Sequence, residues 1–395
     1  MTIRGSRWVV ILLPTLAMAQ EPPASIRQSF SAPKPLRDDL GRYKSPLTFH
    51  DGRTARTPAE WADRRREILK DWNDAMGSWP PPIERPAIET LGKPIHRRTF
   101  TESRVRLKVA PDRTVDGHLL VPDGKGPFPA MLVVYYEPET AIGHGKPRLD
   151  FALRLVRRGI VCLSIGFDPR VIETAKSGLK LQPLSYLAYT ASNARAAMAA
   201  RPEIDAKRIG VMGHSYGGKW AMFAACLDEQ FACGVWSDPG VAFDEARSNV
   251  NYWEPWYLGW EPGRTRKPGL ITADNPRTGA YKTLIESGHD LHELQSLMAP
   301  RPFLVSGGSE DGPERWKALN HVVAVNKLFN QEHGVAMTNR PDHAPTEESA
   351  SAIDEFVTSQ AGCRVARDSI VHLDSLNKER RRLRFLSSVS AVGHV

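Results

Sequence analysis

Arg208-Ile209-Gly210-Val211-Met212-Gly213-His214-Ser215-Tyr216-Gly217-Gly218 is an apolar run that enters a glycine-flanked turn. The run has the composition of a strand buried on both faces, and the residues after it, from Lys219 to Leu227, have helical composition. Gly213, Ser215 and Gly217 form G-x-S-x-G between the two elements. A serine on so sharp a strand-to-helix turn needs small neighbours, because its backbone is strained and substrate must reach it. Ser215 is therefore the expected nucleophile.

A serine hydroxyl is weak at neutral pH and needs a base in hydrogen-bond reach, with a carboxylate to orient that base. Asp342-His343 follows the apolar run Val335 to Thr338 and precedes the last helical stretch, so His343 is the expected base. His289, His292, His321 and His333 lie on or beside helices with no strand leading into them. Two carboxylates compete for the third place. Asp311 follows the strand Phe303 to Gly307 and is the expected acid; Asp238, after the strand ending at Trp236, is the alternative, and Glu310 and Glu314 are possible substitutes. Both turns belong to the carboxyl end of a parallel sheet, where open α/β folds bind ligands. Acyl transfer also needs donors for the developing oxyanion. The Tyr216 N–H supplies one, and the turn at Tyr136 and Glu137 is the expected source of the second.

Outward from this centre, short apolar runs alternate with helical stretches. Ala130 to Tyr136, Gly159 to Ile165, Arg208 to Gly213, Cys233 to Trp236, Pro302 to Gly307 and Val335 to Thr338 read as buried strands. Asp150 to Arg158, Leu184 to Ala200, Lys219 to Leu227, Pro313 to Asn330 and Thr346 to Gln360 read as helices. The pattern is that of an α/β three-layer sandwich with a mostly parallel central sheet over residues 96–360. Residues 20–95 form an N-terminal extension whose helix, 57–77, opens on a capping box at Thr57-Pro58-Ala59-Glu60. Trp61, Ile68, Leu69, Trp72 and Met76 mark the face that should dock on the following domain.

Of 395 residues 41% are apolar and 25% charged, as in a soluble globular chain. The net charge of +8 is concentrated at the ends. Arg4 and Arg7 contribute two, and residues 361–395 carry seven basic against three acidic groups, leaving a nearly neutral body. That argues against a nucleic-acid partner, which needs a clustered basic face. Residues 1–19, with Arg4 and Arg7, the apolar Trp8 to Leu16 and Ala17-Met18-Ala19, read as a signal peptide cleaved after Ala19, so the mature protein is expected to be exported, periplasmic or extracellular, without a membrane span. Residues 361–395 read as a loosely attached basic tail. Cys162, Cys226, Cys233 and Cys363 have no metal-ligand spacing, and no metal or cofactor is implied. A Cys226–Cys233 disulfide and buried free thiols are both open.

The insertion 241–297 contains Tyr252-Trp253-Glu254-Pro255-Trp256-Tyr257-Leu258-Gly259-Trp260. Exposed, Trp253, Trp256 and Trp260 would stack on sugar rings while Glu254, Asn251 and Asn249 meet hydroxyls. Buried, the same rings would pack the insertion onto the body. Trp316, near the Asp311 turn, would extend the wall. Lys219 stands at a helix start, where the dipole disfavours a cation. It either binds a substrate carboxylate or hydroxyl or turns away.

Residues 96–360 resemble the α/β-hydrolase superfamily. Gly213-His214-Ser215-Tyr216-Gly217-Gly218-Lys219 resembles the G-C/H-S-R-x-G-K stretch of glucuronoyl esterases, carbohydrate esterase family 15, and their acetyl xylan esterase relatives. The resemblance implies Ser215 as nucleophile, Lys219 as a sugar-contacting lysine, His343 as base and Asp238 at the position where many members place a glutamate acid. Tyr216 departs from the family's arginine. Met298-Ala299-Pro300-Arg301-Pro302 before a strand resembles exported esterases of the dienelactone-hydrolase or acetyl xylan esterase type. The resemblance implies a serine esterase acting on a small-molecule or oligosaccharide ester. A prolyl-oligopeptidase-type peptidase and an inactive carbohydrate-binding relative are the alternatives.

Overall fold

The computed structural model describes residues 21–171 and 180–362. The expected signal peptide, residues 363–395 of the basic tail and Cys363 lie outside the described residues. Among the described residues no helix is long and apolar enough to cross a membrane.

Among the described residues nine strands form one sheet: β1 (Ile88–His96), β2 (Phe100–Ala110), β3 (Arg113–Pro122), β4 (Phe128–Tyr135), β5 (Val161–Gly166), β6 (Ile204–His214), β7 (Gly234–Ser237), β8 (Phe303–Gly307) and β9 (Val335–Asn339). Their spatial order is β1-β2-β3-β5-β4-β6-β7-β8-β9. Pairing is antiparallel from β1 through β3 to β5 and parallel from β5 through β4 to β9. The helices are α1 (Pro58–Met76), α2 (Phe151–Val156), α3 (Pro183–Ala199), α4 (Tyr216–Leu227), α5 (Gly279–Glu286), α6 (Leu291–Ser296), α7 (Trp316–Lys327) and α8 (Glu347–Gly362).

Strand side chains alternate between two cores, as the pleat requires. Ala130, Leu132 and Val134 of β4 join Val211 of β6 under α3, α4, α6 and α7. Met131 and Val133 join Met212 on the opposite face, covered by α2 and α8. This geometry forbids the Cys226–Cys233 disulfide: Cys226 is packed in the first core and Cys233 in the second, so the sheet separates them. Burial pushes the Cys226 thiol up to about 12.

Two boundaries differ from expectation. β1 lies within the stretch assigned to the N-terminal extension, so the sheet begins at Ile88 rather than after residue 95. The stretch expected as one helix from Pro313 opens as a 3-10 turn, Pro313–Arg315, before α7 begins. The extension helix matches its caps. Thr57 accepts from the Glu60 N–H, although the Glu60 carboxylate accepts from the Arg56 N–H. Its buried face is Trp61, Arg64, Ile68, Trp72 and Met76; Leu69 is only partly covered. Trp72 meets Phe223 of α4 edge to face.

Candidate active site

The elbow forms where β6 ends and α4 begins. Ser215 has φ 56° and ψ −117°, a left-handed backbone that a non-glycine residue adopts only when its surroundings hold it. The Ser215 N–H donates to Ser237 O of the next strand (2.7 Å), and the Lys219 N–H donates to Ser215 O (3.0 Å). The flanking glycines are required by contact. A Cβ at Gly217 would sit 2.1 Å from Val134 O, and one at Gly213 would sit 2.2 Å from Gly217 O.

His343 lies in the loop after β9 with its side chain 35% exposed. Its Nε2 is 2.8 Å from Ser215 Oγ and its Nδ1 is 2.7 Å from Asp238 Oδ2. A carboxylate only accepts, so Nδ1 carries the proton and Nε2 is left to receive the serine's. Arg340 sets this loop. Its buried guanidinium donates to His343 O (2.6 Å), Ala344 O (2.9 Å) and Ser306 O (2.7 Å), tying the loop to β8. Nothing in the sequence reading singled Arg340 out.

The expected acid, Asp311, is not the carboxylate beside His343; Asp238 is. Asp238 Oδ1 accepts three backbone N–H groups, from Gly308 (2.6 Å), Glu310 (3.1 Å) and Asp311 (2.9 Å), which aims Oδ2 at the imidazole. Asp311 turns the other way. Its carboxylate accepts from Gly240 N–H (2.8 Å) and Val241 N–H (2.6 Å), so it holds the chain just past Asp238. Burial, then the neighbouring Asp238 charge, pushes Asp311 up to about 6. The substitutes fall away as well. Glu310 accepts from Asn249 Nδ2 and Ser309 Oγ, and Glu314 faces Arg247.

His214 sets its ring 4.7 Å from that of His343, tilted by 42°, and contacts Ser237 Oγ through Nδ1 (3.0 Å). Burial, with the adjacent His343 second, holds it well below the usual imidazole range, so a neutral ring flanks His343. Of the other candidate histidines, His292, His321 and His333 contact the extension. His292 Nε2 donates to Lys44 O, His321 Nε2 to Leu40 O, His289 pairs with Glu293, and His333 packs on Phe30.

Tyr216 begins α4, and the turn at Tyr136 and Glu137 adjoins it, with the Tyr136 and Tyr216 rings 4.5 Å apart. The Tyr216 hydroxyl donates to Phe167 O (2.9 Å), and its ring also meets Tyr257. Tyr216 and Tyr257 are 1% and 4% exposed, so these two rings are core beneath the elbow, and of the three only Tyr136 is partly exposed. Half of the expected tryptophan platform is core: Trp253 and Trp316 are 1% and 2% exposed, and Trp253 Nε1 donates to Gly269 O. Trp256 and Trp260 are half-buried. Glu254 is taken up by Arg266 and the Gly269 N–H. Lys219 is also enclosed, its ammonium donating to Pro239 O (2.5 Å) and Asn249 O (3.1 Å). The expected substrate contact by Lys219 is therefore not the arrangement found.

Residues 191–339 match the model of the prolyl oligopeptidase family, a span that contains Ser215 and Asp238 and ends before His343. No curated protein matches the chain. Among solved structures, a glucuronoyl esterase from Solibacter usitatus is 18% identical with a TM-score of 0.62, over 82% of this chain and 99% of that one. A carbohydrate esterase family 15 glucuronoyl esterase from Caldicellulosiruptor kristjansonii is 20% identical with a TM-score of 0.56, over 84% and 96%. A Bacteroides fragilis protein assigned as an acetyl xylan esterase is 17% identical with a TM-score of 0.52, over 77% and 80%. The strand order, the elbow at the end of β6 and these likenesses together give the chain its place: it has the α/β-hydrolase fold.

Proposed function

We propose that the protein is an exported serine esterase that cleaves ester groups on carbohydrate through a covalent acyl-enzyme. The observation that carries the reading is the unbroken hydrogen-bond chain from Ser215 through His343 to Asp238 on a strained elbow. Ser215 Oγ attacks the ester carbonyl while His343 Nε2 takes its proton, and the imidazolium returns that proton to the departing alcohol. Asp238 stabilises the imidazolium. The Tyr216 N–H and a donor from the Tyr136–Glu137 turn receive the oxyanion. Water, activated by the same histidine, then releases the acid. The carbohydrate part rests on the fold shared with the glucuronoyl esterases.

The test is turnover of the chain from Gln20 onward on an aryl acetate, a methyl glucuronate ester and an acetylated xylan oligomer, with Ser215→Ala as the inactive control. Cleavage of a sugar ester that is lost in the control supports the reading. Cleavage of the aryl ester alone removes the carbohydrate assignment and leaves the triad. The family match over residues 191–339 favours one second reading, a peptidase of that type. Hydrolysis of a prolyl amide faster than any ester would establish it.

A further inference from the structure

Lys219 is 3% exposed, and a buried ammonium at a helix start is unfavourable twice over, through desolvation and through the helix dipole. Its surroundings show what offsets this. Its backbone N–H donates to Ser215 O, so its main chain is locked to the elbow. Its Nζ reaches across to Pro239 O, the residue immediately after Asp238, and to Asn249 O. The rings of Tyr252 and Tyr257 cover the ammonium at 4.7 and 5.7 Å. Burial pulls it down to about 8, against the pull of Asp311, Glu310 and Asp238.

The turn it holds is strained. Asp238 has φ 52°, and such a backbone persists only where its environment fixes it. Lys219 fixes Pro239 O; the Tyr252 hydroxyl donates to Gly240 O (2.9 Å); and Asp311 takes the Gly240 and Val241 N–H groups. One side chain thus joins the nucleophile's turn to the acid's turn.

We propose that Lys219 is a positioning residue: it acts through the Asp238 turn to hold the acid against His343, and it does not touch substrate. The proposal rests on the reading of Ser215, His343 and Asp238 as a catalytic triad. A lysine that read a sugar acid would have to leave Pro239 O, Asn249 O and both tyrosine rings to do so.

The experiment uses the full mature chain with Lys219→Met and Tyr252→Phe. It reads kcat and KM per titratable serine on an aryl acetate and on a methyl glucuronate ester, and the far-downfield proton of the His343 Nδ1–H in substrate-free protein by proton NMR. Lys219→Met should lower kcat about ten- to a hundredfold on both esters, leave each KM within about twofold, and shift or abolish the downfield proton, because small misplacements of a catalytic group cost rate rather than binding. Tyr252→Phe should act in the same direction more weakly. A KM increase confined to the glucuronate ester would overturn the proposal in favour of substrate contact. So would wild-type kcat with an unmoved proton. If Lys219→Met does not fold, an unchanged proton and kcat in Tyr252→Phe would count against it. If the wild type cleaves neither ester, the esterase reading fails, and the downfield proton still reports whether Lys219 holds Asp238.

Discussion

Asp238→Asn is the substitution whose effect the geometry specifies most closely. The new side chain is nearly the same shape, but its two ends are no longer equivalent. Three N–H donors, from Gly308, Glu310 and Asp311, converge on Oδ1, so the amide oxygen must stay there. The amide nitrogen then takes the place of Oδ2, 2.7 Å from His343 Nδ1. Two donors cannot face each other at that distance, so the imidazole switches tautomer. Nε2 then carries the proton and cannot take the one from Ser215, 2.8 Å away. A triad with its histidine in the wrong tautomer loses about 10⁴-fold in kcat, or roughly 5.5 kcal/mol of barrier. Asp311→Asn should cost far less, about ten- to a hundredfold, because it disturbs the Gly240 and Val241 N–H groups and leaves the His343 contact in place. The assay is aryl acetate turnover per active serine at pH 7.5, with Ser215→Ala as the floor. Asp238→Asn retaining more than about a tenth of wild-type activity while Asp311→Asn loses more would refute the reasoning.

Gly308→Ala should lower kcat about a hundredfold, because its Cβ would sit 2.4 Å from Asp342 O and 2.6 Å from Asp238 Oδ2, forcing the acid off the imidazole; wild-type kcat per active serine would contradict this. Asp290→Asn should stabilise the protein at pH 8 and much less at pH 5, read as urea midpoints. Burial raises Asp290 from 3.8 to about 7, so its contribution to stability is complete below about 3.8 and is lost as pH rises through about 7. Asparagine keeps the oxygen that accepts from Phe243 and Leu291, and it removes a partly buried charge worth on the order of a few kcal/mol. Equal shifts at both pH values would count against the buried charge. Arg340→Met should lower both the melting temperature and kcat, since the loop carbonyls of His343 and Ala344 lose their donor and the buried Ser306 carbonyl is left unpaired at about 1–3 kcal/mol. An unchanged melting temperature would exclude that clamp.

Lys219 and the tryptophans show where sequence-level reasoning stops. Lys219 follows the serine by four residues in the chain, but whether it or a tryptophan of the insertion faces substrate or core depends on what the insertion packs against. Tyr252 and Tyr257 close over Lys219, and Trp253 and Trp316 fill the core. The first strands were missed for another reason. β2 alternates Arg104, Arg106 and Lys108 with Val105, Leu107 and Val109, the signature of a half-buried strand rather than of the wholly apolar runs that mark the central strands. β1 buries almost nothing and carries no such signal.

Ser215 and His343 were legible because each is specified by residues adjacent in the chain: a strand, small neighbours and a helix for one, and the loop between the last strand and the last helix for the other. Local sterics suffice to make an elbow. The choice between Asp238 and Asp311 belongs to the tertiary structure. Both follow neighbouring parallel strands, β7 and β8, and both carboxylates arrive buried at the same edge of the sheet. Only the convergence of three N–H groups from the Gly308–Asp311 turn on one oxygen of Asp238 turns the other toward His343. Those groups lie some seventy residues from Asp238 in the chain, and no local pattern records where a distant turn will point its donors.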